Sequence, residues 1–417
     1  MILHEWQSTV LGAHLRFQKG VSYKGEYLDK PGLRLLGLGT IVPGGGISLA
    51  SARQYCGPVK SHQQIQPGEV YVALTDITQD GRVLGSPALL PSNARGGYAV
   101  THHVAKAIIE RPNELDMAFL YYLLQSEPAR AYFRGVATGT TVRSVSAQDA
   151  ENLEIQLPPL SEQREIASIL GALDDKIELS QRMNTTLEAM ARALFQSWFV
   201  DFDPVRAKTE GQQPVGMDAE TAALFPDSFT DSALGPIPKG WAHINLGSVA
   251  HVGSGKRPST QNSFRSASAS VPVYGGAGQT GWTDTALINE PLILTGRVGT
   301  LGKILRTEGP VWPSDNTLMI QPKALWINQL YFALQNVDLL SLNRGSSQPM
   351  LTQHDIRSQL IIAADLPVSQ HFETLVSPLV EFQTMLNVNI ERLSSTREVL
   401  LPRLLSGDLR VGGEVAA

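Results

Sequence analysis

Cysteine is nearly absent from this sequence of 417 residues, and long apolar runs are absent altogether. The single cysteine, Cys56, excludes an intrachain disulfide and is typical of the reducing cytosol, so we expect a cytoplasmic protein. No apolar run approaches the ~18 residues of a membrane-spanning helix, so we expect no membrane partner. The first segment, MILHEWQSTVLGAHLRF, lacks the basic and apolar regions of a signal peptide.

Net charge is also low, at −5, but the charges are unevenly distributed. Residues 1–150 and residues 236–365 each carry a net charge of +3, whereas residues 151–235 carry −9 and residues 366–417 carry −2. Mildly basic blocks occur in many proteins that bind nothing charged. Their alternation with acidic blocks is nevertheless compatible with two separate sites for a polyanion.

Motifs that bind nucleotides are missing. The segment GLGTIVPG at 37–44 has its third glycine too late for a dinucleotide loop, and ordinary turn glycines explain it better. The segment TGRVGTLGK at 295–303 has the wrong spacing for a Walker loop and precedes Ile304 instead of Ser or Thr. Pro-Pro occurs only in LPPL, so the Asn/Asp-Pro-Pro-aromatic motif of amino-methyltransferases is absent. We therefore predict no cofactor on this chain.

Candidate catalytic and metal-binding clusters are equally weak. In a strand, the adjacent side chains of His102 and His103 would point to opposite faces and could not share a metal ion, so we favour a structural or groove-lining role for them. Paired aspartates at 174–175 and at 201 and 203 have no histidine nearby, and we interpret them as surface or subunit contacts. The sequence therefore predicts no catalytic residue and no metal site.

What the chain does contain is an internal repeat. Four residues recur at an offset of 235, namely Trp6, Leu11, Gly12 and Gly20 as Trp241, Leu246, Gly247 and Gly255. At an offset of 206, Gly139-Thr140-Thr141 matches Gly345-Ser346-Ser347, and Asp149 matches Asp355. Each copy then reaches a proline and a serine, PLS at 159–161 and PVS at 367–369. The predicted unit is a β-rich domain followed by a long helix, present twice.

Each β-rich domain combines strands with a short helix. Apolar, β-branched runs at 70–77, 291–298 and 316–322 are separated by turn residues and predict strands. The segments DMAFLYYLLQS at 116–126 and WINQLYFALQN at 326–336 predict a short helix in each domain. The predicted fold class is therefore α+β.

The long helices carry a seven-residue repeat of apolar residues, which is typical of a coiled coil. The first seam comprises Ile166, Leu170, Leu173, Ile177, Leu187, Ala191 and Leu194, and it is interrupted by Ser180 and Asn184. The second comprises Phe372, Leu379, Leu386, Leu393 and Leu400, with Val376, Ile390 and Leu404 beside them. We predict that the two helices pack on each other, and that the polar seam residues fix their register.

Helix caps are predicted from residue type. Ser161 is a candidate N-cap, with Glu162 in the first turn where its charge suits the helix dipole. The serine of PVS, Ser369, is the corresponding candidate in the second helix. Pro378 predicts a kink or a new start there, with Ser377 as the cap.

These patterns divide the chain into six predicted segments. They are a first β-rich domain at 1–156, a first long helix at 157–205, an irregular connector at 206–238, a second β-rich domain at 239–366, a second long helix at 367–410 and a tail at 411–417.

Several of these stretches resemble the specificity subunit of type I restriction–modification systems. They are LPPLSEQREIASIL, LEAMARALFQSWFVDFDPV, VPVYGGAGQTGWTD and REVLLPRLLSGDL, and the resemblance covers essentially the whole chain in the family's order. The second copy departs from the pattern, since Ser369-Gln370-His371 stands where the first copy has Ser161-Glu162-Gln163.

The resemblance implies a non-enzymatic reader of double-stranded DNA. It implies two similar target-recognition domains related by a pseudo-twofold axis and separated by two long antiparallel coiled-coil helices. Each domain would read one half of a bipartite, asymmetric site, and the helices would fix the spacing. Two methyltransferase subunits, which use S-adenosylmethionine, and two restriction subunits, which use ATP and magnesium, would supply all the chemistry.

Candidate DNA contacts are polar and basic residues on predicted loops. In the first domain they are Lys19, Lys24, Arg53, Lys60, Arg82, His102, Thr140, Thr141 and Arg143. In the second they are Lys256, Arg257, Arg265, Arg297, Asn316, Arg344, Ser346, Ser347 and Gln348.

Three other functions remain open at this point. An orphan or antirestriction subunit would bind the site but recruit no partners. A self-contained DNA methyltransferase conflicts with the missing motif and cofactor loop. A coiled-coil scaffold would never bind DNA, so salt-dependent binding to random duplex would exclude it.

Overall fold

A computed structural model describes residues 6–78, 80–323, 326–343 and 349–411. The chain divides into two compact units, Met1–Ser180 with Val388–Ala417, and Gln181–Asn387. Each unit contains one β-rich domain and part of each long helix. The boundaries of the six segments stay predictions, because this division cuts both helices and tests none of them. Among the described residues, no helix combines the length and the apolar character needed to cross a bilayer.

The first domain, called domain 1, contains the first twelve strands and three helices. Strands β1 to β12 are Gln7–Val10, Leu15–Lys19, Leu28–Leu36, Arg53–Tyr55, Gln64–Ile65, Val70–Ala73, Thr75–Asp76, Pro87–Leu89, Tyr98–Val100, Val104–Ile109, Arg143–Ser144 and Glu154–Leu157. Helices α1 to α3 are Met117–Gln125, Glu127–Val136 and Ala147–Glu151. The long helix α4 follows at Leu160–Phe199.

The rest of the chain begins with short connecting elements. They are helices α5 (Asp203–Thr209) and α6 (Ala219–Ala223) and strands β13 (Phe229–Thr230) and β14 (Ile237–Pro238). Domain 2 then contains strands β15 to β23, at Ala242–Asn245, Ala250–Ser254, Val271–Gly275, Gly278–Thr283, Leu292–Gly296, Ile304–Thr307, Trp312–Pro313, Thr317–Pro322 and Leu360–Ala363. Its helices α7 to α9 are Leu246–Val249, Ile327–Gln335 and Gln353–Arg357, and the long helix α10 is Leu366–Leu405.

The two domains share a four-stranded sheet of the same strand order, a parallel strand pair and a terminal strand pair, which confirms the predicted α+β repeat. Domain 1 has a four-stranded sheet in the order β2-β10-β6-β8, and domain 2 has one in the order β16-β22-β19-β20. A parallel pair lies in a second sheet of each domain, β3 with β9 and β17 with β21. A terminal pair joins the first and last strands, β1 with β12 and β15 with β23.

The repeated sequence positions explain this shared architecture. Leu11 and Leu246 are fully buried at the end of the terminal strand pair of each domain. A Cβ atom on Gly12 would lie 2.8 Å from the Cβ of Glu151, so the glycine permits close packing of the chain there. The repeated aspartates, Asp149 and Asp355, each lie three residues after a capping hydroxyl that accepts their backbone N–H.

The long helices pack on each other within each unit, as the seams predict, and they run antiparallel, as the resemblance implies. In the first unit, Arg397 of α10 forms an ion pair with Asp174 of α4 at 2.5 Å. In the second, Phe372 of α10 packs against Phe199 of α4 with a ring-centroid distance of 5.1 Å. The seam residues are buried or half-buried throughout. At the interrupted position, Asn184 donates a hydrogen bond to Asn387 at 2.7 Å, which supports a role in fixing register.

The predicted helix starts are wrong in detail. Helix α4 begins at Leu160, so Ser161 lies in its first turn and is not the cap. Helix α10 begins at Leu366, and Ser369 donates its backbone N–H to Asp365 at 3.1 Å, so Ser369 is also inside the helix. Helix α4 begins directly after Pro159, whereas Pro367 lies in the first turn of α10, and in both cases the helix begins earlier than the hydroxyl residue indicates.

The new helix start predicted at Pro378 is also wrong, whereas the alternative, a kink at Pro378, stays a prediction. Helix α10 continues through it from Leu366 to Leu405. A proline inside a helix costs roughly 3 kcal/mol. Fully buried Phe372 and Val376 on one side, and the packed Leu379 on the other, hold the helix continuous, so tertiary packing outweighs that cost.

Each domain is attached to its long helices through its own short helix. In domain 1, the hydroxyl of Tyr122 on α1 donates to Asp174 at 2.9 Å, and burial raises the pKa of Tyr122. In domain 2, Asn328 on α8 donates to Glu373 of α10 at 2.7 Å, and Tyr331 donates to Glu188 of α4 at 3.4 Å. Asp174, expected to be a surface or partner contact, is therefore an internal anchor.

Candidate nucleic-acid interface

Domain 1 has a cleft at one end of its two sheets. The cleft has a volume of about 310 Å³. Its walls come from three loops, Gly37–Thr40 after β3, Ile77 after β7, and Thr101 with His103 after β9, together with Arg53 of β4. These segments are distant in sequence, and strand pairing alone brings them together.

His103, which lines this cleft, and the adjacent His102 do not lie in a strand. They occupy a turn between β9 and β10, and their ring centroids are 3.9 Å apart. Burial, followed by the positive charges of His102 and Lys19, lowers the pKa of His103. Within the ranges that the structure describes, no three His, Cys, Asp or Glu side chains form a group that could hold a metal ion.

Several basic candidates in domain 1 already have acidic neighbours. Arg53 donates to both carboxylate oxygens of Asp29, at 3.1 and 2.6 Å, and this hydrogen bond raises the pKa of Arg53 and lowers that of Asp29. Looser pairs join Lys24 to Glu26 and Arg82 to Asp80, both at 3.9 Å. Lys19, at the end of β2, and Lys60 are exposed. Such exposed pairs are weak enough for a phosphate to replace the carboxylate.

Arg143, Thr140 and Thr141 lie together at the edge of domain 1. Arg143 pairs with Asp76 across the short strands β11 and β7. Thr140 and Thr141 are exposed in the loop before β11. Gly139 begins that loop with φ +93°, and a Cβ atom there would lie 2.3 Å from the carbonyl oxygen of Val142, so the tight turn requires glycine.

Domain 2 has a larger cleft of about 580 Å³. Arg257 and Asn316, two of the predicted contacts, line it. The YGG segment approaches the next loop closely, because a Cβ atom on Gly276 would lie 2.7 Å from the Cα of Gly296. Glycine therefore lets these loops meet and form the wall of the cleft.

Three other predicted contacts in domain 2, Lys256, Arg265 and Arg297, are exposed. Arg297 is exposed, and its backbone N–H donates to the carbonyl oxygen of Asn316 at 2.8 Å. Lys256 is exposed beside Arg257, and its carbonyl accepts the indole N–H of Trp312 at 2.7 Å. The guanidinium of Arg265 lies 5.3 Å from the ring centroid of Trp282, which belongs to strand β18. Arg344, Ser346, Ser347 and Gln348 lie outside the described residues.

Three polar residues near this cleft were missed by the sequence reasoning. Gln261 donates to Thr280 at 3.1 Å, and both side chains line the cleft. Lys303 donates to the carbonyl of Ala277 at 2.6 Å. Two glycine-rich segments could have indicated two of them. Thr280 lies in GGAGQTG, and Lys303 ends the Walker-like segment TGRVGTLGK, in which Gly296 packs closely against Gly276.

The two clefts occupy equivalent places in the two domains. In domain 1 the turn between strands β9 and β10 is Thr101–His103. In domain 2 the corresponding turn, between strands β21 and β22, is Ser314–Asn316. The repeated glycines pack against these turns, since a Cβ atom on Gly20 would lie 1.7 Å from the carbonyl oxygen of Val100, and one on Gly255 would lie 2.1 Å from that of Ser314. The scaffold is therefore shared, while the side chains it presents differ.

Comparisons with known proteins place this repeat in a family. The sequence matches the family described as "Type I restriction modification DNA specificity domain" over residues 71–189 and 238–372. It is 28% identical over 356 residues to the "Type I restriction enzyme MjaIX specificity subunit" of Methanocaldococcus jannaschii, covering 78% of this chain and 77% of that protein. It is 26% identical over 357 residues to the "Type I restriction enzyme HindI specificity subunit" of Haemophilus influenzae, covering 70% of this chain and 77% of the relative.

A solved structure has the same fold. The S subunit of a type I restriction–modification system from M. genitalium superposes with a TM-score of 0.63 at 17% identity, covering 97% of each chain. At this identity the likeness concerns the fold alone. The two segments matched by the family together make up more than half of the chain, one in each copy of the repeat, and the chain therefore belongs to the family of type I restriction–modification specificity subunits.

Proposed function

We propose that this chain reads a bipartite, asymmetric DNA site on behalf of a type I restriction–modification enzyme. Domain 1 binds one half-site and domain 2 binds the other. Helices α4 and α10 fix the number of base pairs between the halves. The chain itself carries out no bond-making step.

The observation that carries this proposal is the pair of equivalent clefts with different side chains. Domain 2 presents Asn316 and Arg257, groups that pair with adenine and with guanine respectively in the major groove. Domain 1 presents His103 and Arg53 at its cleft instead. Two scaffolds of one topology with different base-reading groups suit a site whose halves differ in sequence.

The long helices suit the role of a spacer. Each contains 40 residues, or about 60 Å at ~1.5 Å per residue. That length exceeds one turn of DNA, about 34 Å, which is the separation of half-sites in many two-domain readers. The hydrogen bond from Asn184 to Asn387 opposes sliding of one helix along the other.

The partners follow from the family and from the charge. Two methyltransferase subunits and two restriction subunits dock on the chain, and S-adenosylmethionine, ATP and magnesium bind to them. Residues 151–235, which include α4, carry a net charge of −9 and would repel DNA, so this region suits protein partners. The names of the relatives as subunits of type I restriction enzymes support the same assignment.

DNA binding by the full chain tests the proposal. We expect enrichment of one interrupted sequence from a random duplex pool, and affinity that falls steeply as salt rises. Titration of S-adenosylmethionine into the isolated chain should produce no binding heat. A chain that enriches no sequence, or whose binding is insensitive to salt, would contradict the proposed function.

The spacer is tested by lengthening both helices. Seven residues inserted after Ser180 and seven after Asn387 preserve the heptad seam and add roughly 10 Å, or about three base pairs. The enriched sequence should keep both half-sites and gain about three base pairs between them. An unchanged spacing would refute the spacer role while leaving recognition by the two domains intact.

A further inference from the structure

An aliphatic side chain stands exposed at the cleft of domain 1. Ile77 lines the cleft beside Arg53, Thr101 and His103, and 70% of its surface is exposed. The apolar residues that precede it in the same segment, Val70–Leu74, are fully buried. Packing in the core therefore does not account for an isoleucine at this position.

The backbone that carries Ile77 is held firmly. Asp76 is 1% exposed, and its carboxylate accepts hydrogen bonds from the backbone N–H and hydroxyl of Thr78 and from the backbone N–H of Val83 and Leu84, at 2.6 to 2.9 Å. Burial alone would raise the pKa of Asp76, but these hydrogen bonds lower it, so the carboxylate stays charged. The backbone is thus held on both sides of Ile77, at Asp76 and at Thr78, before any ligand arrives, and Ile77 loses little freedom on binding.

A second exposed aliphatic residue lies at the end of the neighbouring strand. Strand β11 pairs with β7 so that Arg143 faces Asp76. Val142, which precedes Arg143, is 45% exposed. Ile77 and Val142 therefore extend from the ends of two paired strands, with Thr140 and Thr141 in the same loop as Val142.

The chemistry of DNA identifies what such a side chain can recognise. The base edges in the major groove carry hydrogen-bond donors and acceptors, with a single apolar group, the 5-methyl group of thymine. An isoleucine gains nothing from the polar edges. It gains from contact with that methyl group, because both surfaces leave water.

We propose that Ile77 is a specificity-determining residue that packs on the 5-methyl group of a thymine in the half-site read by domain 1. The inference rests on the proposed function and deepens it. The polar groups around the cleft position the DNA, and Ile77 discriminates thymine from cytosine and from uracil at one base pair. Val142 borders the same contact.

Replacement of thymine by deoxyuridine tests this contact, because it removes one methyl group and keeps every hydrogen-bonding atom. Each thymine of the enriched site is replaced in turn, on both strands, and the affinity of the full chain is measured. We expect a loss of about fourfold at one position in one half-site, which is the factor for burying one methylene-sized group. With Ile77→Ala, the same replacement should change affinity by less than about 1.5-fold.

Control variants separate the contact from stability. Leu234→Ala removes a comparably exposed aliphatic side chain, 63% exposed, from the connector, and it should retain the full deoxyuridine effect. Ile77→Ala should unfold at the same temperature as the parent, because its side chain is exposed. Ile77→Asn should lower affinity for the thymine-containing site and also lose the deoxyuridine effect.

Three results would overturn the proposal. One is a half-site for domain 1 made of G·C pairs alone. Another is the absence of any thymine whose methyl group matters. The last is an undiminished deoxyuridine effect in Ile77→Ala. In each case the chain still enriches a sequence, so the failure differs from that of the proposed function, in which no sequence is enriched.

Discussion

The two recognition domains share a scaffold of strands and differ in the turns and loops that line their clefts. In domain 1 the turn after the parallel strand is Thr101-His102-His103, whose imidazole rings lie 3.9 Å apart and tilted by 40°, and Arg53 is hydrogen-bonded to Asp29. In domain 2 the corresponding turn is Ser314-Asp315-Asn316. The comparison shows which residues build the domain and which vary without affecting it. Glycines and buried strands are common to both copies, whereas the residues that line the clefts are not.

The largest expected effect comes from the shared glycine beneath each turn. Gly20→Ala drives a Cβ atom into the carbonyl of Val100 and should destabilise domain 1 by about 3 kcal/mol, with loss of one half-site. Gly255→Ala should do the same to domain 2 and the other half-site. Chemical denaturation and binding to each half-site measure both.

Gly25→Ala is the matched control, because a Cβ atom there has no neighbour within 4 Å among the described residues. A mild effect of Gly20→Ala, equal to that of Gly25→Ala, would contradict the close approach of the chain at this turn.

The next largest effect on the free energy of unfolding concerns a buried aspartate of domain 1, Asp76, compared with an exposed aspartate of domain 2, Asp315. Asp76→Ala removes a buried carboxylate that accepts four hydrogen bonds and should cost about 2 kcal/mol. Asp315→Ala should change the free energy of unfolding by less than about 0.5 kcal/mol, because Asp315 is exposed. Urea denaturation measures both.

At acidic pH, the difference in free energy of unfolding between the parent and Asp76→Ala should become smaller. The folded-state pKa of Asp76 lies below its ordinary value of 3.8, so its stabilising effect is complete above about that pH and is lost as the pH falls through the lower folded-state value. A difference that widens in acid would contradict the lowered pKa.

A smaller effect concerns how firmly each domain is attached to the long helices. Tyr122→Phe removes a hydrogen bond of 2.9 Å to Asp174, and Tyr331→Phe removes a longer one of 3.4 Å to Glu188. The first should cost about 1 kcal/mol and the second clearly less. Thermal unfolding of the two variants compares them, and equal costs would show that the two attachments are equivalent despite their geometry.

The smallest effect is a pH dependence confined to domain 1. Burial and the neighbouring His102 and Lys19 lower the pKa of His103 below 6.5 in the free protein, and a DNA phosphate nearby would raise it. Binding would then take up a proton, so affinity for the domain 1 half-site should rise about threefold between pH 7.5 and pH 6. The free energy of unfolding should change in the opposite direction to the affinity. It is highest above pH 6.5, where His103 is neutral in both states, and it decreases as the pH falls through the lower folded-state pKa of His103.

The variant His103→Asn places the residue of domain 2 in domain 1, and binding titrations at both pH values should then give equal affinities. Affinity for the domain 2 half-site should not change over this range, because Asn316 does not titrate. A pH dependence retained by His103→Asn would assign it to another group.

The repeat and the long helices could be predicted from the sequence because they are encoded by spacing. Residue types that recur at a fixed offset, such as Trp6 and Trp241, identify two copies, and a heptad of apolar residues determines which face of a helix is buried. Helix starts at Ser161 and Ser369 were misjudged because the helical hydrogen bonds begin earlier, from the backbone N–H of Gln163 to Pro159 and from that of Ser369 to Asp365. Pro378 was misjudged because local propensity yields to packing.

The clefts could not be predicted because their walls are assembled from separated loops. Only strand pairing brings Gly37, Ile77 and His103 together. Helix α2 was missed although Ser126 caps it and Pro128 lies in its first turn, both ordinary start signals. The acidic partner of Arg53 lies 24 residues away in sequence, so neither the ion pair nor its effect on the pKa values follows from local pattern.

Exchange of one domain tests the central claim most directly. Residues 1–150 are replaced by the corresponding domain of a relative with a different site, and methylated adenines are mapped in cells that contain the partner subunits. The account predicts that one half of the methylated sequence changes, while the other half and the spacing stay the same. A change in both halves, or in neither, would contradict independent reading by two domains on a shared spacer.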